Sequence, residues 1–182
     1  YGEILRKLKN HTEDPGKPYH FRPVRAQKKF TKSGKSRTIY CYSLVDQIVL
    51  KTVQQELKQG WGKAYSSQQH PMDTAFLISQ EIEKAEVGVQ ILKVDITKFF
   101  PSIDRAILFA DLKKESGIRP EVCRLIIAAN SLDNTTGVVT GGSLSTLLSE
   151  FYLRNFKSAF PSEIGFHRFA DDMCFVIPSS HN

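Results

Sequence analysis

Three aspartates give this chain its clearest capacity for metal-dependent chemistry. Asp171 and Asp172 stand side by side between two apolar stretches, and Asp95 ends an apolar stretch 76 residues earlier. Carboxylate oxygens are the protein ligands that Mg²⁺ prefers, and water and substrate phosphates complete its coordination shell. Two such ions about 4 Å apart activate a 3′-hydroxyl and stabilise a pyrophosphate leaving group. If the fold gathers the three carboxylates, a site for divalent cations is expected.

Each of these acids also has an ordinary structural explanation. A lone acid at the end of a strand usually caps that strand or faces water, and aspartate is common in tight turns. By that explanation Asp171-Asp172 is a solvated chain reversal. Taken with Asp95, the pair indicates more, because crowded carboxylates repel one another and such a cluster rarely persists for structure alone.

Two stretches of strand character must position the acids. Residues 89–96 alternate in polarity, with Asp95 on the face opposite the apolar residues. Residues 166–177 form two apolar runs interrupted only by Asp171-Asp172, which predicts a hairpin with both acids at its tip. A central strand ending in Asp95 beside that hairpin would bring the three carboxylates to one edge of a sheet.

Helical periodicity accounts for most of the remaining chain. The first predicted helix begins at Ser43 and ends at Gly60. The others are predicted at about 72–85, at 103–115 with Ser102 as its cap, from Pro120 onward, and at 144–160. Strands separated by runs of helices predict an α+β fold with helices on one face of the sheet.

Positive charge is concentrated at one end of the 182-residue chain, whose formal net charge is +6. Residues 1–40 hold eleven Lys and Arg against three Asp and Glu. Turn residues 32–35 lie there between two short strand-like stretches, which predicts a basic hairpin. The ordinary explanation is a solvated basic segment, and the functional one is a lobe that contacts nucleic-acid phosphates.

Composition excludes several classes of protein. The chain has no run of about 18 apolar residues, which excludes a membrane span in this sequence, and it shows no charged-then-apolar N-terminal signal pattern. Its three cysteines are widely spaced, which argues against a disulfide framework or zinc site, and a cytoplasmic location is expected. The chain opens within a predicted helix and stops soon after a strand, so we expect a piece of a longer protein.

Four segments in this order resemble the successive motifs of reverse transcriptases. They are KSGKSRTIYCYSLVDQIVLKTVQQEL, VDITKFFPSID, GGSLSTLLSEFYL and FADD, within a match of about residues 25–177. The most similar types are prokaryotic: group II intron, retron, diversity-generating and defence-associated enzymes. The resemblance implies a right-hand polymerase with fingers at 1–88, an antiparallel palm sheet backed by helices at 89–182, some fingers-side helices within 103–140, and no thumb.

The resemblance assigns the catalytic centre to the palm. Asp95 and Asp171 would be the principal ligands of two Mg²⁺ ions, for which Mn²⁺ could substitute, with Asp172 alongside and the Ile96 carbonyl completing a shell. Phe100 would stack under the sugar and exclude a 2′-hydroxyl, which selects dNTPs; its ordinary explanation is a core aromatic.

The resemblance also implies contacts to nucleotide and nucleic acid. Arg37, with Lys28, Lys29 or Lys32, would clamp the incoming triphosphate, as guanidinium groups do through paired hydrogen bonds. Thr140 and Gly141 would contact the nucleotide, and Gly142, Ser143 and Phe169 the template–primer. The ordinary explanation of the glycines is a turn that begins a helix.

The function implied is RNA-directed DNA polymerisation, with an RNA template, a DNA or RNA primer and dNTPs as partners. Without a thumb, the isolated chain is expected to extend primers poorly, and further domains or accessory RNA or protein would complete it. Among the departures from the family pattern, Phe169 replaces a usual Tyr and Thr140 a usual Gln. The alternatives are template-independent or protein-primed DNA synthesis in a defence system, or a non-catalytic nucleic-acid-binding scaffold.

Overall fold

The computed structural model describes residues 19–30, 34, 36–61, 71–85 and 88–179. In chain order they form β1 (Arg25–Phe30), β2 (Ser36–Cys41), α1 (Leu44–Trp61), α2 (Pro71–Lys84), β3 (Val89–Asp95), α3 (Phe99–Ser102), α4 (Arg105–Lys114), α5 (Pro120–Asn130), α6 (Ser145–Tyr152), a 3₁₀ turn (Phe156–Ala159), β4 (Gly165–Phe169) and β5 (Asp172–Pro178). The predicted nucleotide contact Lys32 lies outside the described residues.

The strands form two antiparallel sheets, which confirms the α+β class. One is the β1–β2 hairpin, and the other has three strands in the order β3-β5-β4. The prediction of a central strand ending in Asp95 was wrong, because β5 is central and β3 pairs with β5 alone among the described strands. Leu92 and Ile91 are consequently about half exposed, at 50% and 54%.

Helices pack on both faces of this sheet rather than on one. His167 and Arg168 are neighbours in β4, so their side chains point to opposite faces. Glu81 of α2 reaches His167, and Glu150 of α6 reaches Arg168. The helical spacing correctly located both helices but carries no information about which face of the sheet each one covers.

The hydrophobic core lies among α1, α4, α5 and α6. Its fully buried side chains include Leu50, Leu108, Ile126, Leu148 and Phe151, one or two from each helix. At the end of α1, the Trp61 ring stacks on Phe151 with centroids 4.7 Å apart. No helix among the described residues has the length and apolar character needed to cross a membrane.

Two predicted helices are shorter than expected. The helix predicted at 103–115 begins at Arg105, because the Asp104 carboxylate accepts hydrogen bonds from the Ala106 and Ile107 N–H groups at 2.7 and 3.2 Å. Such N-caps fix where a helix starts. The predicted cap Ser102 instead donates to the Thr97 carbonyl.

The helix predicted at 144–160 ends at Tyr152. Phe156 and Phe160 belong to the 3₁₀ segment and its end, where they pack on Phe166 and Phe175 of the sheet. Their spacing matches a helix because they lie on a 3₁₀ turn, but their rings pack on the sheet.

Candidate active site

Asp95 and Asp172 are directly opposed across β3 and β5. Directly opposed residues of antiparallel strands point to the same face, with Cβ atoms about 5 Å apart. Asp171 precedes Asp172 in the two-residue turn that links β4 to β5. The three predicted acids therefore meet at one end of the sheet, as an opposed pair and a third residue on the adjoining turn.

This arrangement is not a preassembled metal centre. Within the part of the chain that the structure describes, no group of three or more His, Cys, Asp or Glu side chains is placed to hold an ion. The donor set nevertheless fits a hard divalent cation, because two carboxylates share one face and the Asp172 side chain is 53% exposed to water. Ile96 follows β3 directly and packs against the helical core.

Lys93 supplies a positive charge beside the opposed acids. It lies two residues before Asp95, on the same face of β3, and its Nζ is 3.2 Å from Asp172 Oδ1. This contact offsets part of the repulsion between Asp95 and Asp172. Because the Lys93 side chain is 72% exposed, it can leave the carboxylate without opening the core.

The turn that carries Asp171 has an unusual backbone. Ala170 has φ 55°, in the left-handed region that side chains other than glycine rarely adopt. Arg168 Nη1 donates to the Ala170 carbonyl at 3.1 Å, and the same guanidinium binds both carboxylate oxygens of Glu150. Phe169 is directly opposite Asp172 and so lies on the face of the acids.

The glycine-containing loop before α6 meets the basic hairpin through its backbone. The Thr140 carbonyl accepts a 2.9 Å hydrogen bond from the Tyr40 N–H. Gly141 has φ 96°, and a Cβ added to it would lie 2.3 Å from Ile39 Cγ2. The loop backbone at Gly141 therefore lies directly against β2, and the predicted contact of Gly141 with the nucleotide stays a prediction.

Gly142 and Ser143, the loop residues assigned to the template–primer, lie against Tyr42 and α1. A Cβ on Gly142 would come within 3.2 Å of the Tyr42 ring, and the Ser143 carbonyl accepts a 2.6 Å hydrogen bond from Gln54 Nε2. Both contacts hold the loop against the protein, and neither tests the assignment to nucleic acid.

Strand register separates the predicted phosphate ligands of the hairpin. Lys29 is directly opposite Arg37, and both share a face with Ile39, two residues further along β2. That face contacts Gly141. Lys28 is opposite Thr38 and points to the other face.

Comparison with known families agrees with this geometry. The family model described as reverse transcriptase (RNA-dependent DNA polymerase) matches residues 26–182. The chain belongs to the reverse transcriptase family. A search of curated proteins returned no match. As a reverse transcriptase domain, the chain is a nucleotidyltransferase whose substrates are template–primer nucleic acid and dNTPs.

Phe100 of this reverse transcriptase domain is held by its own backbone. Its carbonyl accepts a 2.9 Å hydrogen bond from the Val138 N–H, and a Cβ on Gly137 would lie 2.0 Å from the same oxygen. The ring is half buried against the core and 5.3 Å from the buried Phe99 ring. The half-exposed ring suits either explanation, and sugar stacking stays a prediction.

Two contacts of charged residues that the sequence did not single out hold segments next to the candidate site. Arg105 donates to the Gly137 carbonyl and to Thr135 Oγ1, both at 2.6 Å, and burial lowers the pKa of its guanidinium. Arg168 and Glu150 form the contact behind the Asp171 turn. Each lies in a largely apolar segment, Arg168 within FHRFADDMCFVI and Glu150 within LSTLLSEFYL, but nothing in the sequence pairs them.

Proposed function

We propose that this domain adds deoxynucleotides to a primer 3′-hydroxyl on an RNA template, using two divalent cations held by Asp95, Asp171 and Asp172. The observation that carries the proposal is the opposed Asp95–Asp172 pair, with Asp171 on the adjoining turn, in a chain of the reverse transcriptase family. Carboxylates at the end of a supported sheet satisfy the need of such chemistry for fixed oxygen ligands.

The chain's residues would bind and orient the reactants. Asp95 and Asp171 act as principal metal ligands, Asp172 as the third carboxylate, and the Ile96 carbonyl as a backbone ligand. When bound, the cations activate the 3′-hydroxyl and neutralise charge on the leaving pyrophosphate. Lys93 would release Asp172 as the site loads.

The incoming nucleotide would bind between the hairpin and the acids. Arg37 and Lys29 are proposed to clamp its phosphates, because their face of the hairpin is the one that meets Gly141. Phe100 would exclude a 2′-hydroxyl, so the preferred nucleotides are dNTPs. Lys28 lies on the opposite face and is a weaker candidate for this role.

We assign residues 1–88 to the fingers and 89–182 to the palm of a prokaryotic-type enzyme. Because contacts between basic fingers and nucleic acid are made to phosphates, we expect extension by these 182 residues to be salt-sensitive.

The test is extension of a labelled primer on an RNA template with Mg²⁺ or Mn²⁺. Asp171→Asn should remove incorporation while its circular dichroism spectrum matches that of the parent chain. Asp133→Asn, which changes an exposed carboxylate outside the acidic end of the sheet, is the matched control and should extend like the parent. Incorporation retained by Asp171→Asn would refute the assignment of the site.

A second candidate is template-independent or protein-primed DNA synthesis. It is favoured by Thr140, which stands where the family usually has Gln and whose carbonyl is engaged by Tyr40. Omitting the RNA template from the same assay separates the two, since templated synthesis should then stop. A chain that binds nucleic acid but incorporates nothing, even with Mn²⁺ and added domains, would be a scaffold.

A further inference from the structure

Arg168 and Glu150 form a paired contact that is largely shielded from water. Two guanidinium nitrogens face the two carboxylate oxygens, with Nη1 and Oε1 3.0 Å apart and Nη2 bound to Oε2. Their side chains are only 13% and 14% exposed. The contact joins β4, just before the turn, to the middle of α6, so it ties the turn to the helical core.

The same guanidinium makes a third contact, to the turn itself. Nη1 also donates to the carbonyl of Ala170, the residue with φ 55° that precedes Asp171. A guanidinium presents several N–H groups in a rigid plane, and it can bind a carboxylate and a carbonyl at once in a fixed geometry. A lysine ammonium cannot reproduce that plane.

Arg168 lies on the face of the sheet opposite Asp95 and Asp172. It is adjacent to His167, whose register partner Cys174 shares a face with Asp172, so Arg168 points to the opposite face of the sheet. It therefore cannot occupy the space of a metal ion or nucleotide on the acidic face. Its path to Asp171 runs through the Ala170 carbonyl and the turn.

Energetics argue against stability as its sole role. A shielded ion pair loses much of its Coulombic gain to desolvation, and an apolar pair of similar size often serves stability as well. What the ion pair supplies, and an apolar pair cannot, is a directed hydrogen bond to a strained turn.

We propose that Arg168 and Glu150 are positioning residues, which fix the Ala170–Asp171 turn so that Asp171 is presented beside the opposed Asp95–Asp172 pair. The proposal deepens the proposed function and rests on it, because it takes the three acids to be the metal ligands. Partners that orient a metal's ligands typically change metal affinity about 10–100-fold when mutated.

The molecule contains a matched control for this pair. Arg154 binds Asp111 at 2.9 Å, with side chains 19% and 34% exposed, and also donates to a backbone carbonyl, that of Phe151, at 2.9 Å. It is therefore similar in chemistry, but its carbonyl partner belongs to α6 and not to the turn.

The experiment compares Arg168→Lys with Arg154→Lys in the 182-residue chain. Mn²⁺ binding is measured by electron paramagnetic resonance, and the amide resonances of Ala170 and Asp171 are followed by NMR without metal. Arg168→Lys should shift those resonances, speed hydrogen exchange of the turn and weaken Mn²⁺ binding about tenfold. Arg154→Lys should leave the two resonances unshifted, and its hydrogen-exchange rate and Mn²⁺ affinity should stay within twofold of the parent.

Glu150→Gln provides a second variant, which keeps the shape of the carboxylate but not its charge, and it should act like Arg168→Lys. Parental Mn²⁺ affinity and an unshifted turn in Arg168→Lys would overturn the positioning role. Loss of the native spectrum in both variants would make the pair structural and also overturn it. The proposed function fails separately if Asp95→Asn and Asp171→Asn bind Mn²⁺ as tightly as the parent.

Discussion

The two sheets of this reverse transcriptase domain are held by different kinds of contact. In the three-stranded sheet, β4 and β5 are packed by side chains, and Met173 and Phe175 of the central strand are buried, whereas the edge strand β3 is largely exposed. Every residue of β1 in the basic hairpin is exposed. The hairpin is attached through β2, where the Tyr40 N–H meets the Thr140 carbonyl and Gly141 lies against Ile39.

The difference suits the two kinds of charge that the sheets carry. Metal ligands must be held within a small tolerance; Asp172 begins the packed central strand, Asp171 lies on the adjoining turn, and Asp95 is held by its pairing with Asp172. Cations that meet a flexible triphosphate need reach and water access, and they stand on the exposed hairpin. Substitutions at the acidic end should therefore alter chemistry, and substitutions at the hairpin attachment should alter stability and nucleotide affinity.

Asp95→Asn should give the largest effect, and it should separate activity from stability. We expect primer extension to fall more than about a hundredfold, because a metal site supplies several kcal/mol of transition-state stabilisation. The unfolding midpoint without divalent ions should hold or rise, because like charges directly opposed in a sheet are destabilising. Extension assays and calorimetry measure the two, with the exposed Asp133→Asn as control. A lower midpoint with retained extension would make Asp95 structural.

Gly141→Ala should break the attachment of the hairpin. Its φ of 96° disfavours any side chain, and the new Cβ would meet Ile39 Cγ2 at 2.3 Å. Strain and overpacking together should lower the free energy of unfolding by about 3 kcal/mol, measured by urea denaturation. Gly34→Ala isolates the backbone strain, because Gly34 has φ 79° with no atom within 4 Å of the added Cβ. This substitution should lower the free energy of unfolding by about 1 kcal/mol. Equal losses in the two variants would mean that the contact with Ile39 is unimportant.

Sequence patterns predicted the elements of the fold better than their arrangement. Alternating polarity located β3, and two apolar runs on either side of Asp171-Asp172 located the β4–β5 hairpin. The sequence pattern placed Asp95 on a central strand, however, since apolar residues such as Leu92 usually mark a buried strand, and β3 is an edge strand here. Sheet order depends on contacts between distant segments, which periodicity does not record.

The site shows the same division. Residue type and motif order identified the three acids, which the structure brings to one end of the sheet. Adjacent residues of a strand point to opposite faces, so the sequence already separates Lys28 from Lys29, but only the register with β2 shows that Lys29 shares a face with Arg37. Arg168 and Glu150 went unpaired because 18 residues and a 3₁₀ segment separate them along the chain.

Comparing Arg37→Gln with Lys28→Gln tests whether nucleotide binding depends on the face of the hairpin on which a cation lies. Arg37 and Lys28 are both exposed, so neither change should disturb folding. Loss of a charge-assisted phosphate contact should raise the KM for dNTP about tenfold in Arg37→Gln. Lys28→Gln should change it less than about twofold, apart from a weaker salt dependence of nucleic-acid binding. Equal KM values in the two variants would place the triphosphate elsewhere.

Lys93→Met should give the smallest effect, and its sign tests how the acidic end is balanced. The Lys93–Asp172 pair is well exposed, so its loss should cost no more than about 0.5 kcal/mol in the absence of metal. Removing a cation beside the carboxylates should at the same time strengthen Mg²⁺ binding, since the local potential becomes more negative. The rise in unfolding midpoint on adding Mg²⁺ should therefore be larger in Lys93→Met than in the parent or in Lys113→Met, a control on the exposed side of α4. A smaller rise would mean that Lys93 helps to assemble the metal site, because a lysine that only competed with Mg²⁺ for the carboxylates would weaken Mg²⁺ binding.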